Sequence, residues 1–254
     1  REDDAFIRVL NYSFKIGNVS DMTNVLSFEK GYDKNLYNIL LNTDEKVFEF
    51  LKNIIFTEKL IEEKLPDNLK PSINMDLPLP EQLKDENYFV VFTGSSRPEK
   101  IWPTENFIKT THHLTNKFRL TPVLCGGKDD IKYVENFLRG YKSEVINMCG
   151  KTNLLQFANI LKHAKLLLSI DTGAVHIAAA VGCMVFGIFN GTRLGRFAPY
   201  PKNIFSDFHA VFPDKVEQDI QKGDIYKYQQ MSKIPYAAVT AEKVIKKIDE
   251  IFKA

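Results

Sequence analysis

The chain has 254 residues, 44% of them hydrophobic and 26% charged, with a formal net charge of +2. That is an ordinary globular balance, enough for one large domain or two small ones. Bulk electrostatics give no argument for a nucleic-acid partner, and the absence of any run of about 18 apolar residues excludes a membrane-spanning helix. No secretory signal is visible. The chain begins at Arg1 rather than Met, which predicts further sequence upstream. Cys125, Cys149 and Cys183 lie in apolar, strand-like surroundings and form no CxxC pair. They read as reduced, buried thiols, which fits a cytoplasmic protein.

Residues 1–41 show no clean period. Asn42 is a candidate helix cap, with Glu45 reaching back in a capping-box pattern. Val47, Phe48, Leu51, Ile54 and Ile55 repeat at helical spacing and predict a helix to about Glu63. Pro66, Pro71, Pro78 and Pro80 then read as a semi-rigid linker. They place a domain boundary near residue 80, with a first domain over 1–80 and a second over 81–254.

From Asn87 the pattern becomes regular. Strands are predicted at Tyr88–Thr93, Pro122–Cys125, Val145–Met148, Leu166–Ile170 and Met184–Phe189. Helices are predicted at Pro103–Phe118, Asp129–Tyr141, Leu154–Ala164 and Ala174–Val181. This alternation indicates parallel βαβ units in an α/β, Rossmann-like sheet. Residues 191–236 read as loop-rich, with one strand at Ala210–Phe212. Thr240 caps a last helix whose apolar face is Val244, Ile245, Ile248 and Phe252. Lys243, Lys246, Lys247 and Lys253 on that helix read as a solvated face, the alternative being peripheral membrane contact.

In open α/β sheets, ligands bind beyond the carboxyl ends of the strands. Three such ends carry suggestive loops: Gly94-Ser95-Ser96-Arg97-Pro98-Glu99-Lys100, Gly126-Gly127-Lys128-Asp129 and Asp171-Thr172-Gly173. A strand that passes through glycine into a helix leaves backbone N–H groups pointing above the sheet, and these attract anions. Ser95 and Ser96 add hydroxyls, Lys100 a mobile charge and His176 a further donor. Together with the amides of Thr172 and Gly173 they suit a diphosphate, both bound and as a leaving group. Taken singly, Ser95 and Ser96 also read as a turn, Lys100 as a solvated cation, Asp171 as a helix cap and His176 as a packed histidine.

Other phosphate motifs are missing. There is no GxxxxGK[ST] loop, and no GxGxxG follows a strand. Asp171-Thr172-Gly173 lacks the second aspartate of a haloacid-dehalogenase-type phosphatase. His112-His113 falls within a helix without other ligand types and reads as surface; no metal site is expected.

The segment SSRPEKIWP, followed by a helix, resembles the donor-site loop of the bacterial lipopolysaccharide heptosyltransferases, glycosyltransferase family 9. The matching positions are Ser95, Ser96, Lys100, Trp102 and Pro103. LLLSIDTGAVHIAAAVG resembles the family's second signature, through Asp171, Thr172, Gly173 and His176. GKTNLLQFANIL at residues 150–161 and, loosely, Arg193–Pro199 extend the likeness. It covers roughly residues 87–200 and the final helix in order.

The resemblance implies a GT-B-like fold, in which this Rossmann-like parallel-sheet domain follows a smaller, incomplete amino-terminal domain. It implies an inverting, metal-independent transferase that moves heptose from ADP-heptose, as substrate rather than cofactor, to a lipopolysaccharide inner-core acceptor. The setting would be the cytoplasmic face of the inner membrane. By carry-over, Ser95, Ser96, Lys100, Thr172, Gly173 and His176 meet the diphosphate and Asp171 the sugar. Asp129 and Thr152 border the nucleoside. The family's glycine-rich loop ending in a catalytic aspartate has no clear counterpart. Gly17-Asn18-Val19-Ser20-Asp21 has a similar look without a strand-turn-helix context, so no general base is named. The alternatives are a nucleotide-sugar-binding module that has lost its base and a Rossmann module that binds no nucleotide.

Overall fold

The computed structural model describes residues 12–18, 37–43 and 47–253. The chain divides into two compact units, Arg1–Leu69 with Gly195–Phe197, and Lys70–Leu194 with Ala198–Ala254.

In the first unit, β1 (Ile16–Asn18) and β2 (Ile39–Leu41) pair in parallel. Asn18 Nδ2 donates to Thr43 Oγ1 at 2.6 Å, just past the end of β2. Helix α1 spans Glu49–Ile61 and starts later than expected, with buried Phe48, not Asn42, as the residue before its first turn. Glu45, the other half of the expected capping box, lies outside the described residues. The start is held instead by Arg196. Its Nε donates to Glu49 Oε2 at 2.8 Å, and its carbonyl accepts from the Glu49 N–H at 2.8 Å.

The second unit is built on one parallel sheet of six strands in the order β5-β4-β3-β6-β7-β8. These are β3 (Tyr88–Phe92), β4 (Thr121–Cys125), β5 (Ile146–Asn147), β6 (Leu167–Ile170), β7 (Val185–Ile188) and β8 (Phe208–Val211). Every residue of β6 and β7 is buried, as expected of strands with helices on both faces. The helices are α2 (Thr104–Phe118), α3 (Ile131–Gly140), α4 (Leu154–His163), α5 (Gly173–Ala180), α6 (Asp214–Gln221) and α7 (Ala241–Ile251).

Helix α2 begins after Pro103, whose fixed φ suits a helix start, and turns Phe107, Thr110, Thr111 and Leu114 inward. Helix α7 packs beside it, capped by Thr240 Oγ1 accepting from the Lys243 N–H. Helix α4 carries a full capping box, Asn153 and Gln156 exchanging bonds of 2.9 Å.

Trp102 is fully buried. It stacks edge-on against Phe107 at 4.9 Å and donates from Nε1 to the Val239 carbonyl at 2.6 Å. One side chain thereby joins the loop after β3 to the turn before α7. A covered indole contributes on the order of 2–3 kcal/mol through area alone, and its N–H requires the acceptor it finds.

Two features differ from the sequence reading. Residues 191–236 contain helix α6 after Pro213, and the last strand starts two residues earlier and ends one earlier, at Phe208–Val211. The proline-rich stretch is free of helix and strand up to a short turn at Glu81–Leu83. From Lys70 on it nevertheless belongs to the second unit. The Ile73 N–H donates to the Ala180 carbonyl at 3.1 Å, and Asn159 Nδ2 donates to the Leu77 carbonyl at 3.0 Å.

Candidate functional site

The strand order runs outward from β3 to β4 and β5 on one side, and from β6 to β7 and β8 on the other. The reversal falls between β3 and β6, which is where a crevice opens at the carboxyl ends of a parallel sheet. The loops that follow these two strands are Gly94–Lys100 and Asp171–Gly173.

A single ion pair bridges them. Lys100 Nζ lies 2.7 Å from Asp171 Oδ2 and 3.2 Å from the Asp171 carbonyl oxygen. Both side chains are about four-fifths covered, at 21% and 17% exposure, so solvent screens the pair less than at an open surface. Lys100 ends a short 3-10 turn, Pro98–Lys100, just before which Ser95 Oγ accepts from the Arg97 N–H at 3.1 Å. Ser95 is half-buried and Ser96 exposed on this loop.

Asp171 is fixed through its N–H, which donates to the Ile188 carbonyl at 3.1 Å. Thr172 caps α5, with Oγ1 accepting from the Ala174 N–H at 3.3 Å. Gly173 opens the helix, exposed, with open space where a Cβ would stand. Helix α5 therefore begins with backbone N–H groups facing the crevice.

His176 sits one turn into α5. Its Nδ1 pairs with Tyr200 Oη at 3.0 Å. Burial lowers its pKa, while Asp171 pulls the other way and Lys100 adds to the lowering. The neutral form of the His176 ring is thereby favoured, and the ring is near enough to both members of the ion pair to feel them. Burial also pushes the Tyr200 hydroxyl up to about 12.

Beside the helix start lies a cleft of about 380 Å³ lined by Phe92, Gly126, Gly127, Thr152, Asn153, Leu154, Phe157, Gly173, Ala174 and Ile177. Apart from Thr152 and Asn153 its walls are apolar or glycine, with Phe92 and Phe157 tilted against each other at 5.7 Å. Gly173 belongs both to this cleft and to the amide-rich helix start.

Of the residues singled out in the sequence, Lys100, Asp171, Thr172, Gly173 and His176 come together at the reversal. Ser95 and Ser96 share the Lys100 loop, and Thr152 lines the cleft. Asp129 is exposed on the turn Lys128–Asp130 and is not a lining residue. Its neighbour Asp130 turns inward, and Oδ2 accepts from the Gly127 N–H at 2.9 Å. A Cβ on Gly94 would stand 1.9 Å from Asp130 Oδ1, and one on Gly126 would stand 2.8 Å from Asp130 Cβ. The two glycines therefore admit the Asp130 side chain, which joins the loops after β3 and β4. Phe92, Phe157 and Ile177 line the cleft and were not singled out in the sequence, because apolar positions in regular elements read as core. Among the described residues, no group of three or more His, Cys, Asp or Glu side chains could hold a metal ion.

A parallel sheet with this order, helices on both faces and loops gathered at the reversal, defines a Rossmann-like α/β protein of the GT-B-like kind. Residues 7–222 match glycosyltransferase family 9 (heptosyltransferase), and the chain belongs to that family. Over 142 residues it is 28% identical to lipopolysaccharide heptosyltransferase 3 of Escherichia coli strain K12, an alignment covering 54% of this chain and 41% of that one. The match thus spans about two-fifths of that relative's length. The structure of E. coli ADP-heptose lps heptosyltransferase II is similar with a TM-score of 0.62 at 16% identity, covering 94% of this chain and 69% of that chain. The structure of E. coli heptosyltransferase WaaC with ADP gives 0.59 at 16% identity, covering 86% and 61%.

Proposed function

We propose that this chain binds a nucleoside-diphosphate sugar, ADP-heptose, at the carboxyl end of the sheet. It serves an inverting transferase that passes heptose to a lipopolysaccharide inner-core acceptor at the cytoplasmic face of the inner membrane. The observation that carries the reading is the position of Gly173, which joins an apolar cleft of nucleoside size to a helix start beside the Lys100–Asp171 pair. The family match and the ADP named with WaaC support the choice of nucleotide.

In this reading the adenine enters between Phe92, Phe157 and Ile177, with Thr152 at its edge. The diphosphate lies over the amides of Thr172 and Gly173, with Ser95 and Ser96 as hydroxyl donors. Lys100 turns from Asp171 to the diphosphate. The acceptor oxygen bonds to the anomeric carbon as the bond from that carbon to the diphosphate oxygen breaks on the opposite face. The electron pair goes to the diphosphate, where Lys100 and the helix start stabilise the growing charge without a metal. The acceptor proton passes to a base on the amino-terminal side. Asp171, freed from Lys100, accepts from sugar hydroxyls.

Calorimetric titration of the chain with ADP, ADP-heptose and adenosine tests this. Saturable binding of ADP and ADP-heptose, with adenosine much weaker, is expected. No heat from either diphosphate at millimolar concentration would overturn the reading.

A further inference from the structure

Tyr200 is 6% exposed and is held by rings on two sides. It stacks on Phe208, the first residue of β8, at 4.7 Å and meets Phe205 edge-on at 6.4 Å. So placed, its hydroxyl reaches α5, where Oη lies 3.0 Å from His176 Nδ1. His176 stands three residues after Gly173, on the same side of the helix, and helical side chains lean toward the amino end. The imidazole therefore lies over the turn whose amides open on the crevice.

The chemistry of the pair decides which atom holds the proton. A phenol donates well and accepts poorly, whereas an imidazole nitrogen without a proton accepts well. Burial pushes the Tyr200 hydroxyl up to about 12, so it keeps its proton at neutral pH. Burial also lowers the pKa of His176, with Asp171 opposing and Lys100 adding to the lowering, which favours the neutral ring. A neutral imidazole whose Nδ1 accepts carries its N–H on Nε2. The opposite form has a lone pair on Nε2, and a lone pair turned toward phosphate oxygens repels them.

We propose that Tyr200 is the positioning residue for His176: by donating to Nδ1 it fixes the ring as an Nε2–H donor to the diphosphate of the bound nucleotide. The ring then gives a hydrogen bond without a net charge, beside a lysine that supplies one. The proposal rests on the donor-binding reading above and adds to it the residue that decides which form of His176 the diphosphate meets.

The test uses the full chain with isotope-labelled histidine. Long-range proton–nitrogen spectra distinguish the two neutral forms, and His176→Gln identifies the His176 signal by its loss. In the parent, Nε2 carries the proton and Nδ1 the lone pair. In Tyr200→Phe, which keeps the stack on Phe208, the signal shifts toward a mixture of the two forms, and melting temperatures check the fold. Calorimetric titration is the second readout. ADP affinity falls about fivefold in Tyr200→Phe, the size of one hydrogen bond, while adenosine affinity stays within about twofold. His176→Gln sets an amide donor near the Nε2 position with no tautomer to choose, so adding Tyr200→Phe to it changes ADP affinity by less than about twofold.

A parent with the proton on Nδ1, a Tyr200→Phe spectrum like the parent's, equal losses for ADP and adenosine, or the full Tyr200→Phe loss repeated in the His176→Gln background each overturns the role of Tyr200 alone. A shifted spectrum with unchanged ADP affinity overturns the link from the ring to the diphosphate. A parent chain that binds no ADP overturns the donor-binding reading and this proposal with it.

Discussion

Lys100 and Asp171 stand 71 residues apart in sequence, yet Nζ and Oδ2 are 2.7 Å apart across the point where the strand order reverses. The pair sets a competition. In the proposed donor complex, a diphosphate draws the ammonium away from a carboxylate that already holds it. The ammonium then makes charge-assisted bonds to phosphate oxygens, each stronger than a neutral bond.

Lys100→Ala is therefore expected to weaken ADP binding by roughly ten- to a hundredfold, from the loss of about 1.5–3 kcal/mol. Adenosine binding stays close to that of the parent chain, because the apolar cleft is intact. Parallel calorimetric titrations check this. An equal loss for adenosine and ADP would place Lys100 in the folding of the loop rather than in anion binding.

Gly94→Ala brings a Cβ to 1.9 Å from Asp130 Oδ1, 2.3 Å from its Cγ and 2.7 Å from its Cβ. The near end of the Asp130 side chain is involved as well as its tip, so a rotamer change alone does not relieve the clash. Overpacking of this kind costs about 1–3 kcal/mol. The midpoint of urea unfolding is expected to fall accordingly. Asp130→Gly in the Gly94→Ala background should recover part of the loss, although it also removes the bond to the Gly127 N–H.

These residues show what could be read from the chain. The strands and helices after Asn87 were legible because apolar runs and helical periods are local, and Thr240 was legible as a cap for the same reason. The meeting of the Lys100 and Asp171 loops followed from strand ends opening on one side of a parallel sheet. That the two side chains pair with each other did not follow, because pairing depends on strand order. Asp129 and Asp130 are adjacent acids, and spacing cannot tell which one turns inward. Helix α6 was hidden because only Val216 and Asp219 of its DKVEQDIQ are buried, too weak a stripe to set a period. Tyr236 lies in a segment without regular pattern, buried in a turn next to the Val239 carbonyl that Trp102 holds from far along the chain.

Cys125, Cys149 and Cys183 are all buried and free. Burial pushes Cys149 up to about 11, Cys183 up to about 12 and Cys125 further still. The thiolate is the reactive form, so all three are expected to be inert in the native state near neutral pH. A chromogenic disulfide reagent should release almost no colour from native protein and about three equivalents after unfolding in guanidinium. Rapid native reaction of even one thiol would contradict the burial of the strand end and the two loops on which they lie.

The pH dependence of stability is carried in part by His209 on β8. Its Nε2 is buried without a hydrogen-bond partner, and its ring lies against Phe186 at 5.1 Å. Burial lowers its pKa from 6.5 to about 4, Lys202 adding to the lowering, Asp207 opposing it and Lys247 adding further. The native state holds the ring neutral while the unfolded chain protonates it near its ordinary value. Between those two values the unfolded chain binds more protons, so stability falls as pH drops through the window. His209 should thus contribute a loss of about 2 kcal/mol between about pH 7.5 and pH 5. His209→Gln removes the titration. Its unfolding free energy, measured in urea across the same window, should fall less steeply than that of the parent by about that amount. Parallel profiles for the two proteins would mean that protonated His209 finds an acceptor in the folded state.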